Sequence, residues 1–584
     1  MVRIVSDSIA ADRLAQRFGE QQISKYRMLL WCAAMLTGLL QAWAFRHGMR
    51  SDGISYLDIA QASAHGNWQS LINGYWSPLY PFLLSLVFRI LQPSLYWEST
   101  VAHFVNFGIF IFSFVCFEIF LKELIRGQQR RSNAAENVEP MPEWALWVLG
   151  DSLFIFLTLL FIHMERLQPD LMVAALVYLA AALLLRIWAG DSGWLTYAGF
   201  GAVLGVAYLA KTVMFPLAFV FLGCGLIAAK PLRRAIPRAA LSLLVFILVG
   251  APFISALSQQ KGHFTYGDVG KIAYAEFVDG VRRLIHWQGG PDGAGSAVHP
   301  SRVMLERPPV FEFATPIEGT YPPWYDPSYW YEGVVPQFKL GNQLRAVRHT
   351  IEQYAGILPF MGGVLVAFLA MALIAGGRGP VWKASLEMWP VWLPAVAGLG
   401  IFALVYVEAR YVVPFFLLIW MTLFAGLRFP PTRAAQPLVT ALTLATALVL
   451  CIGITWLAGR ALFRAVNPQP FVNWEVAKGL QRMGVHSGDR VSSIGYAFDA
   501  YWAHLAGVRI VAEITGWDAP SFWTSPAPIQ SQVFACFAST GAKIVVTDQE
   551  PPLGAGEGWQ RIGQTNYFVH ELGPVLAKNQ SAKQ

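Results

Sequence analysis

The sequence predicts a polytopic α-helical membrane protein of about eleven spans, followed by a small soluble α/β domain. Three observations carry that reading. Of 584 residues, 55% are hydrophobic and only 14% charged, with 22 Trp and 39 Phe, so a large apolar surface must be buried in lipid or in a core. Apolar runs long enough to cross roughly 30 Å of hydrocarbon recur through residues 1–457. From 458 to 584 the pattern changes to short segments of strand and helix period, which predicts a separate domain. The net charge of +7 does not mark a nucleic-acid binder, because most Lys and Arg sit in short connections between apolar runs.

The eleven runs lie near 28–46, 101–121, 144–162, 169–189, 195–211, 212–229, 240–257, 351–374, 388–406, 411–427 and 438–457. The first is longer than a signal-peptide core and lacks a small-residue cleavage pattern, so it is expected to stay attached. A twelfth candidate, residues 78–92, is short, opens with Pro78-Leu79-Tyr80-Pro81 and contains Arg89. Loop charge decides its placement. If it lies in the interface, the basic clusters at 1–27 (Arg3, Arg13, Arg17, Lys25, Arg27), 122–143 (Lys122, Arg126, Arg130, Arg131), 230–239 (Lys230, Arg233, Arg234, Arg238), 375–387 (Arg378, Lys383) and 428–437 (Arg428, Arg433) all fall on the cytoplasmic side. If it crosses, only the N-terminus does.

That parity puts the N-terminus inside and turns four segments outward: 46–100, the turn 163–169, the long loop 258–349, and everything after about 458. The tail predicts strands at Arg490–Ile494, Val508–Glu513 and Lys543–Thr547, with helices at Trp474–Met483 and Gln532–Ser539. Its turns, Gly488-Asp489 and Pro551-Pro552-Leu553-Gly554, hold no phosphate-cradling glycine motif, which excludes a nucleotide site of that kind. Four of the five cysteines (Cys32, Cys116, Cys224 and Cys451) lie in apolar runs, and Cys536 lies in the tail, so neither a disulfide framework nor a zinc spacing can be built. Basic inside loops without disulfides fit a bacterial cytoplasmic membrane.

The chemistry is expected on the outward side. Asp52, directly after the first span, shares a helix face with Tyr56 four residues on, while Asp58 points elsewhere. Asp170 stands where the chain re-enters the membrane after Pro169. Each has an ordinary role open to it at a helix start, yet two carboxylates at the same membrane depth are costly near lipid and point to function. Lys211 ends the fifth run, and Arg410 lies in the turn Val407-Glu408-Ala409-Arg410-Tyr411. Snorkelling accounts for either cation, but basic residues on this side run against the charge rule and suit an anionic ligand such as a phosphate.

The ordered set Asp52-Gly53-Ile54-Ser55-Tyr56, Tyr75-Trp76-Ser77-Pro78-Leu79-Tyr80-Pro81, Pro169-Asp170 and Lys211-Thr212, over roughly the first 230 residues, resembles the GT-C membrane glycosyltransferases, with Glu408-Ala409-Arg410-Tyr411 as a weaker fifth element. The nearest branch is that of protein mannosyltransferases and lipid A aminoarabinose transferases. The resemblance implies that Asp52 activates the acceptor or holds a divalent metal ion, that Asp170 lines the same cavity, and that Lys211 contacts a polyprenyl phosphate. Gly53, where many members carry a second acidic residue, leaves metal dependence open. Interfacial helices after the first acidic motif are also a family feature, in keeping with a non-crossing 78–92.

Two other patterns stand in the sequence. His47-Gly48-Met49-Arg50-Ser51-Asp52 spells the His–Asp spacing of glycerolipid acyltransferases, but that chemistry belongs to a soluble α/β domain and His47 follows a span. In the long loop, residues 321–332 hold six aromatics and two carboxylates; Trp324, Tyr325 and Trp330 offer sugar-binding faces, with an interfacial aromatic belt as the structural alternative. Glu276, His286, His299 and Glu318 lack metal-ligand spacing.

The expected function is transfer of a sugar from a polyprenyl-phosphate carrier to a lipid, glycan or protein acceptor at the outer membrane face. Tyr56 and Tyr411 are counted with Lys211 and Arg410 as substrate-binding residues. The alternatives are a transporter or flippase, which would show internal repeats that the sequence does not display, and a non-catalytic assembly protein.

Overall fold

A computed structural model of the protein describes residues 2–132, 138–281, 286–290, 295–313, 318–376, 387–432, 434–468, 471–552 and 558–573. Arg378, Lys383, Arg433, Leu553 and Gly554 lie outside the described residues, as do the side chains of Arg3, Arg13, Arg17 and Arg131.

Ten of the eleven apolar runs fold as single helices, and the run 351–374 is divided by a 3-10 turn at Leu358–Met361. In chain order the bundle and the segments beside it comprise α1 (Val2–Phe45), α2 (Ser51–Ala64), α3 (Leu79–Leu91), α4 (Leu95–Ser132), α5 (Glu143–Phe161), α6 (Asp170–Trp188), α7 (Trp194–Ala210), α8 (Met214–Ala228), α9 (Leu232–Lys261), α10 (Val269–Phe277), α11 (Leu340–Ile357), α12 (Gly362–Ile374), α13 (Trp389–Ala403), α14 (Ala409–Gly426) and α15 (Ala435–Val466). Among the described residues eight helices are long and apolar enough to cross a membrane, and α7, α8 and α13 supply the three shorter predicted runs. The chain is a polytopic α-helical membrane protein with a β-sheet unit at one end.

Local chemistry sets where the helices stop. α3 ends at Gln92, held in the left-handed region (φ 46) just before Pro93, which cannot continue a helix. It buries Tyr80, Leu84 and Phe88 and exposes Phe82, Leu86 and Ile90. α7 crosses α9 at close range because Gly201 and Gly205 lack side chains: a Cβ on Gly201 would collide with the Ser242 carbonyl, and one on Gly205 would stand 2.6 Å from Val249. The same helix ends at Lys211, whose backbone is extended (φ −158, ψ 128), so that the residue leaves the helix and its side chain turns into the interior.

At the Asp52 end of the bundle sits a seven-stranded sheet with order β1-β2-β4-β3-β5-β7-β6, formed by β1 (Arg302–Glu306), β2 (Pro309–Glu312), β3 (Arg490–Gly495), β4 (Arg509–Thr515), β5 (Ile544–Thr547), β6 (Trp559–Arg561) and β7 (Phe568–Glu571). The tail strands β3, β4 and β5 pair in parallel, as strands joined through helices do. Three strands and two helices predicted in the tail are present, the strands and the first helix (Val472–Arg482) within a residue or two of the expected bounds and the second (Ala527–Ser539) starting five residues earlier than expected. The hairpin β1–β2 comes from the long loop and pairs antiparallel to β4, with Phe311 opposite Glu513. No local signal in 302–312 announces it, because its partner is about two hundred residues away.

A buried ionic cluster ties the sheet unit to the bundle. His504 Nδ1 lies 2.7 Å from Asp58 Oδ1 on α2, and Nε2 lies 3.0 Å from Glu98 Oε2 on α4. Asp58 also accepts the Thr320 N–H at 2.7 Å and the Thr320 hydroxyl at 2.8 Å. Burial disfavours a charged imidazole, but the two carboxylates outweigh it and raise the His504 pKa to about 10. Asp58, expected to point away from the Asp52 face, does so and anchors the tail instead.

Candidate active site

Three carboxylates and three cations from four places in the chain, the start of α2, the turn into α6, the end of α7 and the start of α14, converge beside the first turn of α2. The N–H of Ser51, an orphan donor at the start of that helix, is taken by Asp499 Oδ1 of the tail at 2.8 Å, which fixes the direction of the turn carrying Asp52. Asp52 Oδ1 accepts the Trp324 indole N–H and Oδ2 accepts the Gln168 amide, both at 3.3 Å, while Arg410 Nη2 stands 3.8 Å away. These are long contacts. The carboxylate is thus lightly held, about a quarter exposed (24%), and open to the cavity it faces. Burial pushes its pKa above the usual carboxylate value, against the lowering effects of Arg410 and of the Trp324 bond.

Asp170 is held in the opposite manner. Pro169 caps α6 and makes Asp170 its first residue, where the helix dipole favours an anion. Its side chain is 4% exposed; Lys211 Nζ donates to Oδ1 at 2.6 Å, and Arg410 Nη1 lies 3.5 Å from Oδ2. Lys211 Nζ also sits 3.6 Å from the centre of the Tyr411 ring, a cation–π contact. Arg410 donates to the Tyr411 hydroxyl at 2.8 Å and pairs through Nε with Glu408 at 2.6 Å. Glu408 in turn pairs with Arg166 at 3.3 Å. Every buried charge here has an opposite neighbour, the condition under which such a cluster persists.

The cluster lines a cavity of about 660 Å³. Of the residues selected from sequence, the fold brings Asp52, Tyr56, Asp170, Lys211, Arg410, Tyr411 and Trp324 to this one space. Asp52 and Tyr56 face it together, as four-residue helical spacing requires. Two others go elsewhere. Trp330 is buried in the loop, donating its indole N–H to the Pro322 carbonyl, and Tyr325 lines a separate recess with Glu318 and Asp326. His47 packs edge-on against Phe471 and Trp474, 4.2 and 4.8 Å between ring centres, and bonds neither to Asp52 nor to its partners.

Sequence reasoning passed over three lining residues. Gln168 lies in the turn 163–169 and Glu408 in the motif around Arg410, each two residues from a selected charge, but nothing local assigns them partners. Glu276 on α10 also lines the cavity, and burial raises its pKa to about 7. Among the described residues no three His, Cys, Asp or Glu side chains form a metal-holding group. The surroundings of Asp52, a guanidinium and two N–H donors, are those of an anion rather than of a cation's ligand set.

An apolar groove adjoins the cavity. His263 and Phe264 line both it and this groove of about 710 Å³ between α8 and α9, walled by Phe215, Phe219, Phe246 and Ile254. A polar site thus stands beside a lipid-like slot.

Comparison with solved structures places this arrangement. Against ArnT from Cupriavidus metallidurans bound to undecaprenyl phosphate, the chain aligns with a TM-score of 0.51 at 11% identity, covering 95% of its own length and 99% of that chain. The chain has the GT-C fold. Apo ArnT from the same organism gives 0.47 at 13% identity, covering 94% and 99%, and the Archaeoglobus fulgidus oligosaccharyltransferase complexed with Zn and sulfate gives 0.46 at 11%, covering 88% and 68%. No protein-family model and no curated protein matches the sequence. The GT-C likeness extends over the sheet unit as well as the bundle, since the ArnT alignment spans nearly the whole chain.

Proposed function

We propose that the protein is a glycosyltransferase that moves a sugar from a polyprenyl-phosphate carrier to an acceptor hydroxyl at the outer face of a bacterial cytoplasmic membrane. The observation that carries the reading is the pairing of one lightly held carboxylate, Asp52, with the Lys211–Arg410 cations in a cavity that shares the wall His263–Phe264 with an apolar groove. The groove has the character a polyprenyl chain needs, and the cations stand where its phosphate would arrive. The solved relative that aligns over 95% of the chain holds undecaprenyl phosphate, which supports a carrier of that class.

In the transfer, Asp52 takes the proton from the acceptor hydroxyl as that oxygen bonds to the anomeric carbon. The bond from that carbon to the phosphate oxygen breaks, and the electron pair leaves on the polyprenyl phosphate. Lys211 and Arg410 stabilise the charge that grows there, and Asp170 holds both cations in place. Direct displacement with inversion is the family's expectation. Tyr56 and Trp324 supply aromatic surface to the sugar, and Tyr411, whose ring lies under Lys211, positions that lysine toward the donor.

In this reading residues 1–457 form the transferase domain and 458–584 a domain outside the cytoplasm, with the N-terminus inside. Asp52 works as a base without a metal; a divalent ion held at Asp52 is the alternative role, and loss of turnover on chelation with recovery on adding the ion would establish it. The deciding experiment incubates purified protein with a polyprenyl-phosphate-linked sugar and an envelope extract as acceptor source, and follows release of free polyprenyl phosphate. Release that disappears in Asp52→Asn supports the transferase. Carrier passage across proteoliposomes with the sugar still attached would instead make the protein a flippase.

A further inference from the structure

A second cavity opens at the Asp52 end of the bundle, between the ends of α1, α5 and α15, with a volume of about 590 Å³. Its floor is apolar, with Leu159, Leu160 and Trp456. Its rim is cationic. Arg460 lies 4.9 Å from the ring of Trp456 and Arg464 lies 4.8 Å from that of Phe45, and among the described residues neither pairs with a carboxylate. Glu165 lines the cavity too, 3.9 Å from His163. Burial, with help from Arg166, Arg410 and Arg460, pushes the His163 pKa down to about 4 against the pull of Glu165, so that His163 is neutral. Two guanidiniums against one carboxylate leave the rim positive, above an oily floor, where the helices leave the hydrocarbon.

This space and the central one share no lining residue. A void of only about 10 Å³ lies between them, with His163 in its wall on the groove side and Gln168 and Arg410 in its wall on the central side. A headgroup resting against the arginines is therefore kept from Asp52 by a layer of side chains.

We propose that this groove seats a resident anionic glycerophospholipid, its phosphate between Arg460 and Arg464 and an acyl chain along Leu159, Leu160 and Trp456. An arginine fork suits a phosphate, and basic residues near the membrane surface attract anionic lipid. The intervening wall favours a resident lipid over a reacting one. The turn 163–169 edges the groove and also starts α6 at Asp170, so an occupied groove braces the turn on which the central cluster is built. The inference goes beyond sugar transfer and does not rest on it.

The test uses the purified full-length protein and native mass spectrometry with phosphatidylglycerol and phosphatidylcholine of identical chains. Wild type is expected to retain phosphatidylglycerol in preference. Arg460→Gln/Arg464→Gln should bind it roughly ten-fold to a hundred-fold more weakly, the loss expected for charge-assisted phosphate contacts. Arg460→Lys/Arg464→Lys should keep part of the preference, and thermal unfolding checks that both variants are folded. Independently of any variant, phosphatidylglycerol with a photoreactive chain should label residues 456–467 of wild type. Equal retention of the two lipids by wild type, an unchanged preference in the Gln variant, labelling confined to other helices, or displacement of the lipid by glycerol 3-phosphate alone would each overturn the proposal.

Discussion

Arg410 stands between Asp52 and Asp170, with Nη2 3.8 Å from one carboxylate and Nη1 3.5 Å from the other. The two acids differ because Asp170 has a second cation, Lys211, at 2.6 Å, and Asp52 does not. The tightly paired acid holds the site together, which leaves the loosely held one free to exchange a proton.

Asp52→Asn is expected to lower turnover by at least about a hundred-fold, the usual share of a general base, with little change in thermal stability. Asparagine keeps the size, and its one carbonyl oxygen accepts from Trp324 or from Gln168 but not from both, a small loss because both contacts are long at 3.3 Å. Asp170→Asn should reduce turnover less but lower the melting temperature more, since it strips a buried partner from Lys211. Equal activity of both variants with wild type would remove the two-carboxylate site.

Lys211→Ala is expected to weaken donor binding roughly ten-fold to a hundred-fold, equivalent to about 1.5 to 3 kcal/mol for one charge-assisted phosphate contact. Lys211→Arg keeps charge and membrane anchoring but alters the point contact and the fit over Tyr411, so it should recover only part of the affinity. Titration with a fluorescent polyprenyl phosphate reads both, and unchanged affinity in the pair of variants would leave Lys211 an anchoring residue.

In the proposed transfer the raised pKa of Asp52 sets the acid limb of kcat/KM. A base must be deprotonated to act, so activity should fall with decreasing pH at a value above the ordinary carboxylate range. The Trp324 indole bond lowers that pKa, so Trp324→Phe, which removes the donor and keeps a ring, should move the limb to higher pH. A limb that stays put or moves down contradicts the assignment.

His504 predicts a pH-dependent attachment of the sheet unit. Its folded pKa of about 10 exceeds the unfolded value of about 6.5, so its stabilisation is complete below the unfolded value and is lost as pH rises through about 10. His504→Gln should cost about 3 to 5 kcal/mol near neutrality, the penalty of stranding buried charge, and should flatten the fall of thermal stability between pH 7 and 10. A variant melting curve parallel to wild type across that interval would contradict the ionic role.

Cysteine labelling should place positions 130 and 233 on the cytoplasmic side, and positions 50 and 496 on the other. Arg130 donates to the Ala189 carbonyl at the far end of α6 from Asp170, so a full helix separates the two sets. Labelling of position 130 from outside would reverse the orientation.

Sequence by itself determined the membrane bundle, because a residue in lipid must be apolar and its backbone must bond within its own helix, so hydropathy alone reveals the runs. It also marked Asp52, Asp170, Lys211 and Arg410, since a charge at membrane depth is conspicuous against such a background. Only the tertiary structure decided how they pair. The short contact between Lys211 and Asp170, the bridging place of Arg410 and the entry of Glu276 and Gln168 depend on helices far apart in the chain. Trp324 and Trp330 show the same limit: one aromatic-rich stretch offered both, and packing of the loop against α2 sent Trp324 to Asp52 and buried Trp330. The hairpin Arg302–Glu312 and the His504–Asp58–Glu98 cluster were illegible for that reason too, since a strand edge or a buried ion is defined by a partner that local pattern does not contain.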